Sequence, residues 1–289
     1  MKVFLTGATG YIGRVVAEYL QKAKHTVTGL ARSVESAANL RDLGVEPHLG
    51  DLRDAASLRA AAASADAVIH AAIAWGPGAG AIDGQAVRAI QEGLRGSPRL
   101  LVYTSGVWVI GDTQGRVAGE LTRLHPPAVV AWRPAVEQLA LETGTVVRAA
   151  SVFGRGGGRI GEMVRHAREN KVIRVVGNGG NHWSFVHVDA LADLYVRIVQ
   201  REPRGELFLA ADGPAVTVRT VADTVAAMND SRVEIWPLDE ARKELGPVAD
   251  ALVMDQRIMS TKAGRLLGWG PKWPFVLDEI RSGTYVEKS

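Results

Sequence analysis

The sequence predicts an α/β fold in which a doubly wound parallel sheet is followed by a smaller, mostly C-terminal lobe. In the first half of the chain, short β-rich runs alternate with longer helical patterns, which is typical of βαβ units and a parallel sheet. The strand candidates are almost continuously apolar, as in residues 67–72, and strands of this kind are buried on both faces. A glycine-rich turn over residues 6–13 joins the first strand to the first helix.

The individual elements follow from the spacing of apolar residues and from capping and breaking residues. The predicted strands cover Lys2–Thr6, Thr26–Ala31, Val45–Leu49, Ala67–Ala72, Leu100–Ser105 and Thr145–Ala150. The helices between them cover Tyr11–Lys24, Val34–Leu43, Ala55–Ala63, Ile82–Leu94 and Val129–Glu142. Later helices are predicted at Ile160–Glu169, at Asp189–Gln200 with Asp189 as N-cap, and at Val218–Met228 with Thr217 as N-cap.

The composition is that of an ordinary folded chain. Hydrophobic residues make up 47% and charged residues 22% of the 289, which excludes a natively unfolded protein. The net charge of +3 is spread along the chain, so no nucleic-acid partner is expected. The absence of cysteine excludes disulfides, thiolate metal ligands and a cysteine nucleophile, and it fits a reducing compartment.

No targeting or membrane segment is predicted. The N-terminal apolar run Val3–Leu5 ends at Thr6, far short of a signal-peptide core. The apolar stretch 65–80 contains Asp66 and His70 and is shorter than the roughly 20 residues that a membrane span needs. We therefore expect a soluble, cytoplasmic protein without a membrane partner.

The glycine-rich turn reads TGATGYIG and has the spacing of a phosphate loop. Glycines at such a turn let the backbone approach a pyrophosphate, which then lies on the N-terminus of the following helix. The alternative is a tight turn without a ligand. The predicted cofactor-binding residues of this loop are Thr6, Gly7, Thr9, Gly10, Tyr11, Ile12 and Gly13.

The end of the second strand indicates which dinucleotide binds. An NAD-selective site usually places a carboxylate there for the ribose 2′-hydroxyl. Here the strand ends at Ala31 and is followed by Arg32 and Ser33, and a guanidinium can pair with a 2′-phosphate. The sequence therefore favours NADP(H) over NAD(H), unless Arg32 is simply a solvated loop residue.

Several motifs in order resemble the extended and atypical short-chain dehydrogenase/reductase superfamily, also called the NAD-dependent epimerase/dehydratase family. Besides the loop, these motifs are Gly50–Leu52, His70–Ala72, Val102–Gly106, Val147–Gly156, Gly177–Gly179 followed by Phe185–Asp189, and Leu267–Pro271. The resemblance implies a Rossmann-type domain over residues 1–150 and mainly a substrate-binding lobe over 151–289. A segment at about 171–200 is expected to return to the sheet.

The resemblance also assigns further cofactor contacts. It implies that Asp51 and Leu52 contact adenine and that the backbone of Ala71 and Ala72 lines the cofactor. Thr104 ends the fifth strand and is assigned both to the cofactor and to the reacting end of the site.

The family's usual Tyr-x-x-x-Lys pair is missing from this sequence. In that pair the lysine lowers the pKa of the tyrosine, so that the phenol can exchange a proton with the substrate. None of the five tyrosines is followed by lysine four residues later. On the predicted helix Val129–Glu142, Trp132 takes the place of the tyrosine and Val136 the place of the lysine.

Other polar residues are therefore candidates for the reacting site. Thr104 and Ser105 lie at the carboxyl end of the fifth strand, where open α/β sheets bind ligands. Arg133 could stabilise an oxyanion, or it could form a surface ion pair with Glu137 four residues on. Weaker candidates for a proton relay are Asp112 and the loop residue His182, whereas His70 and His187 are interpreted as structural.

The substrate side is predicted to be largely apolar. The proposed lining is Trp75, Ser105, Trp108, Trp132, Phe153 and Trp183. Ordinary packing is the alternative for each aromatic residue. Epimerases of the family carry an asparagine and an arginine where this chain has Ser151 or Val152 and Trp183–Ser184, which counts against a nucleotide-sugar substrate. No metal site is predicted, because none of the seven histidines lies three or four residues from another and no carboxylate cluster accompanies them.

The leading hypothesis is an NADP(H)-dependent oxidoreductase that reduces a small, fairly apolar carbonyl or activated double bond. One alternative is an epimerase or dehydratase acting on a sugar nucleotide or related substrate. Another is a sensor or scaffold that binds NADP without catalysis. The expected partner is a small-molecule substrate, and a homodimer is possible.

Overall fold

The computed structural model describes residues 1–96, 98–270 and 272–286. Pro271, the last residue of the C-terminal motif, lies outside the described residues. The strands are β1 Lys2–Thr6, β2 Thr26–Ala31, β3 Glu46–Leu49, β4 Ala67–His70, β5 Leu100–Gly106, β6 Val117–Ala118, β7 Thr145–Ala149, β8 Ser151–Gly154, β9 Val172–Val176, β10 His182–Trp183, β11 Phe185–His187, β12 Glu206–Ala210, β13 Val216–Thr217, β14 Arg232–Trp236 and β15 Arg257–Ile258.

Helices follow most of these strands. They are α1 Tyr11–Lys22, α2 Val34–Asp42, α3 Ala55–Ala63, α4 Ala79–Leu94, α5 Arg133–Leu141, α6 Gly158–Asn170, α7 Val188–Arg201, α8 Val218–Met228, α9 Leu238–Leu245, α10 Val248–Leu252, α11 Lys262–Leu267 and α12 Val276–Ser282. Two 3-10 turns lie at Val107–Ile110 and Ala128–Val130.

The first compact unit comprises residues 1–105, 132–148 and 191–208. It is built on a seven-stranded sheet in the order β12-β7-β5-β4-β1-β2-β3. The pairs of β1 with β2 and β4, of β2 with β3 and of β4 with β5 are all parallel. The strand order reverses beside β1, and in open α/β sheets the crevice at such a point binds ligands. The predicted doubly wound α/β fold is confirmed.

The core of this unit lies between the sheet and the paired helices α3 and α4. Phe4, Leu58, Ile90 and Leu101 are fully buried there or nearly so, and each apolar side chain removed from water contributes about 1.5–3 kcal/mol. This packing holds the carboxyl ends of β1, β4 and β5 in place.

The second unit comprises residues 106–131, 149–190 and 209–289, of which the described part forms two apolar cores. One core lies around Phe153, Phe185 and α8, and the other lies around Val176 and Leu252. Strand β9 pairs with β14 in this unit. Residues 191–208 belong to the first unit and lead into β12, the edge strand of the large sheet. The return of a segment at about 171–200 stays a prediction.

Several boundaries differ from the predicted ones for local reasons. The helix predicted at Val129–Glu142 begins only at Arg133, because Pro134 lacks an amide hydrogen and fits only the first helical turn. Helix α4 begins at Ala79, three residues earlier than predicted, directly after Gly78 with its positive φ of 80°. Asp189 is the second residue of α7 rather than its N-cap.

Thr217 does cap α8, with its side chain accepting a hydrogen bond from the Thr220 amide. Among the described residues, no helix has the length and hydrophobicity that crossing a bilayer requires.

Candidate functional site

The phosphate loop lies in the first unit between β1 and α1. Gly7 has a φ of +77°, and a Cβ there would lie 2.8 Å from the Ala72 amide nitrogen. A Cβ on Gly13 would lie 2.0 Å from the carbonyl oxygen of Gly7. Glycine at these two positions lets the loop turn tightly against the residues after β4 and lets α1 start close to the loop, as in a dinucleotide phosphate loop. We call this tight glycine turn the cradle.

Helix α1 starts from Gly10 without a side-chain cap and without an acidic residue in its first turn. The positive end of its dipole is therefore compensated neither by a side-chain cap nor by a first-turn carboxylate. An anion bound at the loop would supply that compensation. These features fit a dinucleotide phosphate.

The two residues after β2 have different roles: Ser33 caps a helix, and Arg32 is exposed on the surface. Ser33 caps α2: its Oγ accepts from the Ser36 amide at 3.1 Å, and its own amide donates to the Ser36 Oγ at 3.0 Å. Arg32 is exposed and forms no ion pair within the described part of the chain. Arg32 is therefore the polar side chain that remains available to a ligand at this strand end.

The residues expected near adenine follow β3. Asp51 accepts a hydrogen bond from the Arg53 amide at 2.9 Å and is half-buried. Leu52 is only 8% exposed and packs in the first unit's core. Of the two, Asp51 thus offers more surface to a ligand.

Two hydroxyls stand at the end of β5. Thr104 Oγ1 lies 2.6 Å from the hydroxyl oxygen of Tyr195 on α7. Ser105 is 4% exposed, and its Oγ is buried without a hydrogen-bond partner among the described residues. Burying a hydroxyl without a hydrogen-bond partner costs free energy, so the Ser105 hydroxyl is a donor that a bound ligand could satisfy.

Arg133 lies next to these hydroxyls. Its Nη1 donates to the Thr104 carbonyl oxygen at 3.0 Å, and its guanidinium lies 4.9 Å from the centre of the Trp132 ring. The alternative of an ion pair with Glu137 is wrong. Glu137 faces the sheet and forms a buried ion pair with Arg148 at 2.7 Å. Arg133 instead points its guanidinium to the end of β5.

Sequence reasoning missed Tyr195 as the partner of Thr104. Burial raises the pKa of its phenol far above the usual range, although the hydrogen bond with Thr104 and the charge of Arg133 lower it. Tyr195 is therefore a neutral hydroxyl at physiological pH. A tyrosine among the apolar residues of α7 is the signal that was available.

Asp83 is a second residue that sequence reasoning missed. It is 2% exposed on α4 and bonded to His70 and Tyr103 at 3.1 and 2.5 Å. Burial raises its pKa, but the hydrogen bond and charge of His70, the hydrogen bond of Tyr103 and the charge of Arg133 together hold the pKa below its usual value. The signal in the sequence is a carboxylate in an otherwise apolar helix face.

The aromatic residues of the first unit have different surroundings. Trp75 is 70% exposed in the segment between β4 and α4. Trp132 precedes α5 and packs so closely on α4 that a Cβ on Gly80 would lie 2.7 Å from its own Cβ. Val136, the other residue in the place of the family's pair, is buried in the core.

In the second unit, Trp108 and Trp183 pack against the same core around Val176 and Leu252. The Trp183 indole nitrogen donates to the Leu252 carbonyl oxygen at 3.2 Å. Phe153 is fully buried and stacks edge-on against Phe185, a position that favours the packing interpretation for this residue.

The remaining candidates of the second unit are tied into its framework. His182 lies in strand β10 rather than in a loop, with its Nδ1 2.8 Å from Asp255 Oδ1. Asp112 accepts from the amides of Gln114 and Asp255. His187 is buried and accepts from the Asp189 amide at 3.2 Å, and burial lowers its pKa.

A cavity of about 470 Å³ in this unit is lined by apolar residues together with His182, Arg257 and Asp212. Burial raises the pKa of Asp212 to about 6. No group of three or more metal-ligating side chains occurs in residues 1–96, 98–270 and 272–286.

Sheet order, glycine cradle and helix dipole together define a Rossmann-type protein with a dinucleotide phosphate loop. The model of the NAD dependent epimerase/dehydratase family matches residues 3–119 and 131–211, and the chain belongs to this family. This finding confirms the resemblance seen in the sequence motifs.

Individual relatives cover most of the chain. An uncharacterized protein of Schizosaccharomyces pombe is 30% identical over 99% of this chain and 100% of its own length. The 4-hydroxy-2-methyl-3-oxo-4-farnesyl-3,4-dihydroquinoline-1-oxide ketoreductase of Stigmatella aurantiaca is 27% identical over 84% of this chain and 78% of its own.

Among solved structures, the dTDP-glucose 4,6-dehydratase of Bacillus anthracis in complex with NAD superposes with a TM-score of 0.83. The match covers 99% of this chain and 96% of that one at 17% identity. It shows the fold.

Proposed function

We propose that the protein is an NADP(H)-dependent oxidoreductase that reduces a small, fairly apolar carbonyl or activated double bond. The observation that carries the proposal is the cradle at Gly7 and Gly13, where a Cβ would meet backbone atoms. The first unit would hold the cofactor, and residues 151–289 would supply most of the substrate lobe. The similarity to a ketoreductase supports reduction of a carbonyl.

Arg32 is proposed to select NADP(H) through the 2′-phosphate. Replacing Arg32 by alanine is expected to weaken NADPH binding by about tenfold and to leave NADH binding unchanged, because a charge-assisted pair contributes about 1.4 kcal/mol or more. The measurement is a fluorescence titration with each reduced cofactor. Arg41→Ala, which removes an exposed guanidinium from the last turn of α2, is the matched control and should change neither constant. Tighter binding of NADH than of NADPH by the unaltered protein would refute the selectivity.

The reacting end of the site is assigned to Thr104, Ser105 and Arg133. The bound cofactor supplies a hydride to the substrate carbon. The unpartnered Ser105 hydroxyl would donate to the substrate oxygen, and Thr104 would orient the substrate from its place beside Tyr195. The Arg133 charge would stabilise negative charge that develops on that oxygen, and water would complete the protonation.

The test of this assignment is NADPH consumption with a panel of small aldehydes and ketones. The double variant Thr104→Val/Ser105→Ala is expected to lower kcat by about 10²–10³, the effect of losing a preorganised donor to an oxyanion. Thr143→Val removes an exposed hydroxyl of the same unit and should leave kcat unchanged.

Other outcomes of the assay separate the alternatives. Turnover that survives the double variant would remove both hydroxyls from the mechanism. Conversion of a sugar nucleotide without net consumption of NADPH would indicate an epimerase or dehydratase instead. Tight NADPH binding with no turnover would indicate a sensor.

A further inference from the structure

A chain of buried hydrogen bonds runs from helix α4 to the phosphate loop in the first unit. It consists of Tyr103, Asp83, His70 and Thr6, which are between 0% and 2% exposed, and we call these four residues the Asp83 network. Asp83 lies 13 residues from His70 and Thr6 lies 64 from it, so only the folded unit brings them together.

The carboxylate of Asp83 sets the direction of the hydrogen bonds that it receives. An ionised carboxylate can only accept, so the Tyr103 hydroxyl donates to one oxygen of Asp83 and the His70 Nε2–H donates to the other. A neutral imidazole that carries its proton on Nε2 has a bare Nδ1. In this tautomer the Thr6 hydroxyl, 2.7 Å away, is the donor to the His70 Nδ1.

The network ends on the loop itself. The Thr6 Oγ1 also accepts from the amide of Ala72 at 3.2 Å, and this bond ties the end of β1 to the residues after β4. Gly7 is wedged against the same residues, because its missing Cβ would lie 2.8 Å from the Ala72 nitrogen and 2.9 Å from the Ala71 carbonyl. A rotation of the Thr6 hydroxyl would therefore change the contacts of Gly7 on one side of the cradle and of Ala71 and Ala72 on the other.

We propose that Asp83 and His70 are positioning residues for the dinucleotide: through the His70 tautomer they fix the Thr6 hydroxyl and hold the phosphate loop against Ala71 and Ala72. The inference rests on the proposed function, because it assumes that the loop binds NADP(H). Neither side chain needs to touch the cofactor. At metal sites, loss of a hydrogen-bond partner that orients a ligand typically weakens metal binding about 10–100-fold, and we expect an effect near the lower end of that range here.

The first test is Asp83→Asn. The buried Tyr103 hydroxyl still needs an acceptor and takes the new amide oxygen, so the amide NH2 faces the His70 Nε2 as a donor. His70 is then driven to carry its proton on Nδ1. The Nδ1–H would donate to Thr6 and deprive the Thr6 hydroxyl of its acceptor. We expect the ring-nitrogen shifts of His70 in ¹H–¹⁵N NMR spectra to show Nε2–H in the unaltered protein and Nδ1–H in the variant. NADPH should bind about tenfold more weakly.

The matched control is Tyr103→Phe. It removes a hydrogen bond to the other oxygen of the same buried carboxylate but leaves the bond between Asp83 and His70 in place. A merely structural role would make both variants alike. The proposal expects reduced thermal stability in each, with the weaker NADPH binding and the changed tautomer only in Asp83→Asn.

Two variants of Thr6 decide the matter if Asp83→Asn does not fold. Thr6→Val removes the hydroxyl that His70 holds and should lose about as much affinity as Asp83→Asn, whereas Thr6→Ser keeps that hydroxyl and should lose clearly less. Equal affinity of Thr6→Val and Thr6→Ser, or normal affinity of a folded Asp83→Asn, overturns the inference alone. An unaltered protein that binds neither NADPH nor NADH overturns the proposed function as well.

Discussion

Replacing Gly13 by alanine is expected to weaken NADPH binding by about 100-fold and to destabilise the first unit. The new Cβ would lie 2.0 Å from the Gly7 carbonyl oxygen and 2.6 Å from the Gly7 carbonyl carbon. Both neighbours are backbone atoms, so the loop itself must move. A misplacement of about 1 Å can cost a factor of about 10² in the rate of an enzyme, and we expect a loss of similar size in affinity when the phosphate loop moves. Fluorescence titration with NADPH measures the affinity, and thermal unfolding measures the stability.

Gly84→Ala is the matched control for this prediction. Gly84 also lies in a helix of the first unit, but the nearest atom to a Cβ there is the Val136 Cγ2 at 3.8 Å, an ordinary contact. Alanine in a helix interior is about 0.5–1 kcal/mol more favourable than glycine, so this variant should be slightly stabilised and bind NADPH normally. A Gly13→Ala protein with normal affinity and stability would contradict the close approach of α1 to the loop.

Replacing Arg148 by methionine is expected to lower the free energy of unfolding by about 3–5 kcal/mol. The Arg148 Nη2 lies 2.7 Å from the Glu137 Oε2, and the two side chains are only 5% and 2% exposed. Without the guanidinium, a buried carboxylate remains uncompensated. Because a domain is stabilised by about 5–15 kcal/mol in total, the loss is large. Urea unfolding at neutral pH measures it.

Two further variants show whether the effect comes from the unpaired charge. Arg59→Met breaks the exposed pair with Glu92, whose side chains are 51% and 39% exposed, and should cost less than about 1 kcal/mol. The double variant Glu137→Leu/Arg148→Met removes both charges and should recover most of the stability. If the double variant is no more stable than Arg148→Met, packing rather than the unpaired carboxylate explains the loss.

The sequence predicted the elements whose signals are local. Strands β1 and β2 and helix α3 have the bounds expected from periodicity, and α1 begins at the expected Tyr11. Helix α5 begins later than expected, because Pro134 fits only the first turn of a helix although the apolar spacing before it is helical. The short strands of the second unit, such as β10 and β15, have two residues each, too few for a periodic pattern to be visible.

In the candidate site, too, only the residues with local signals could be predicted from the sequence. The loop glycines and Arg32 are recognised from neighbours in the chain, since a phosphate loop and the following strand end lie within one βαβ unit. Asp83 and Tyr195 were missed because their partners are distant: Tyr195 meets Thr104 across 91 residues. A polar residue within an apolar helix face shows that a partner exists, but not which one.

By itself, the sequence determined the fold class, the phosphate loop and the surroundings of the second strand end, because glycine spacing and apolar periodicity act over a few residues. Only the tertiary structure decided which polar groups pair. In the structure Glu137 pairs with Arg148 instead of Arg133, and Arg133 donates to the Thr104 carbonyl oxygen. Asp83 is bonded to His70, and His70 in turn to Thr6. The physical reason is that a buried charge or hydroxyl must find its partner in space, and packing of the sheet and helices chooses the one within reach.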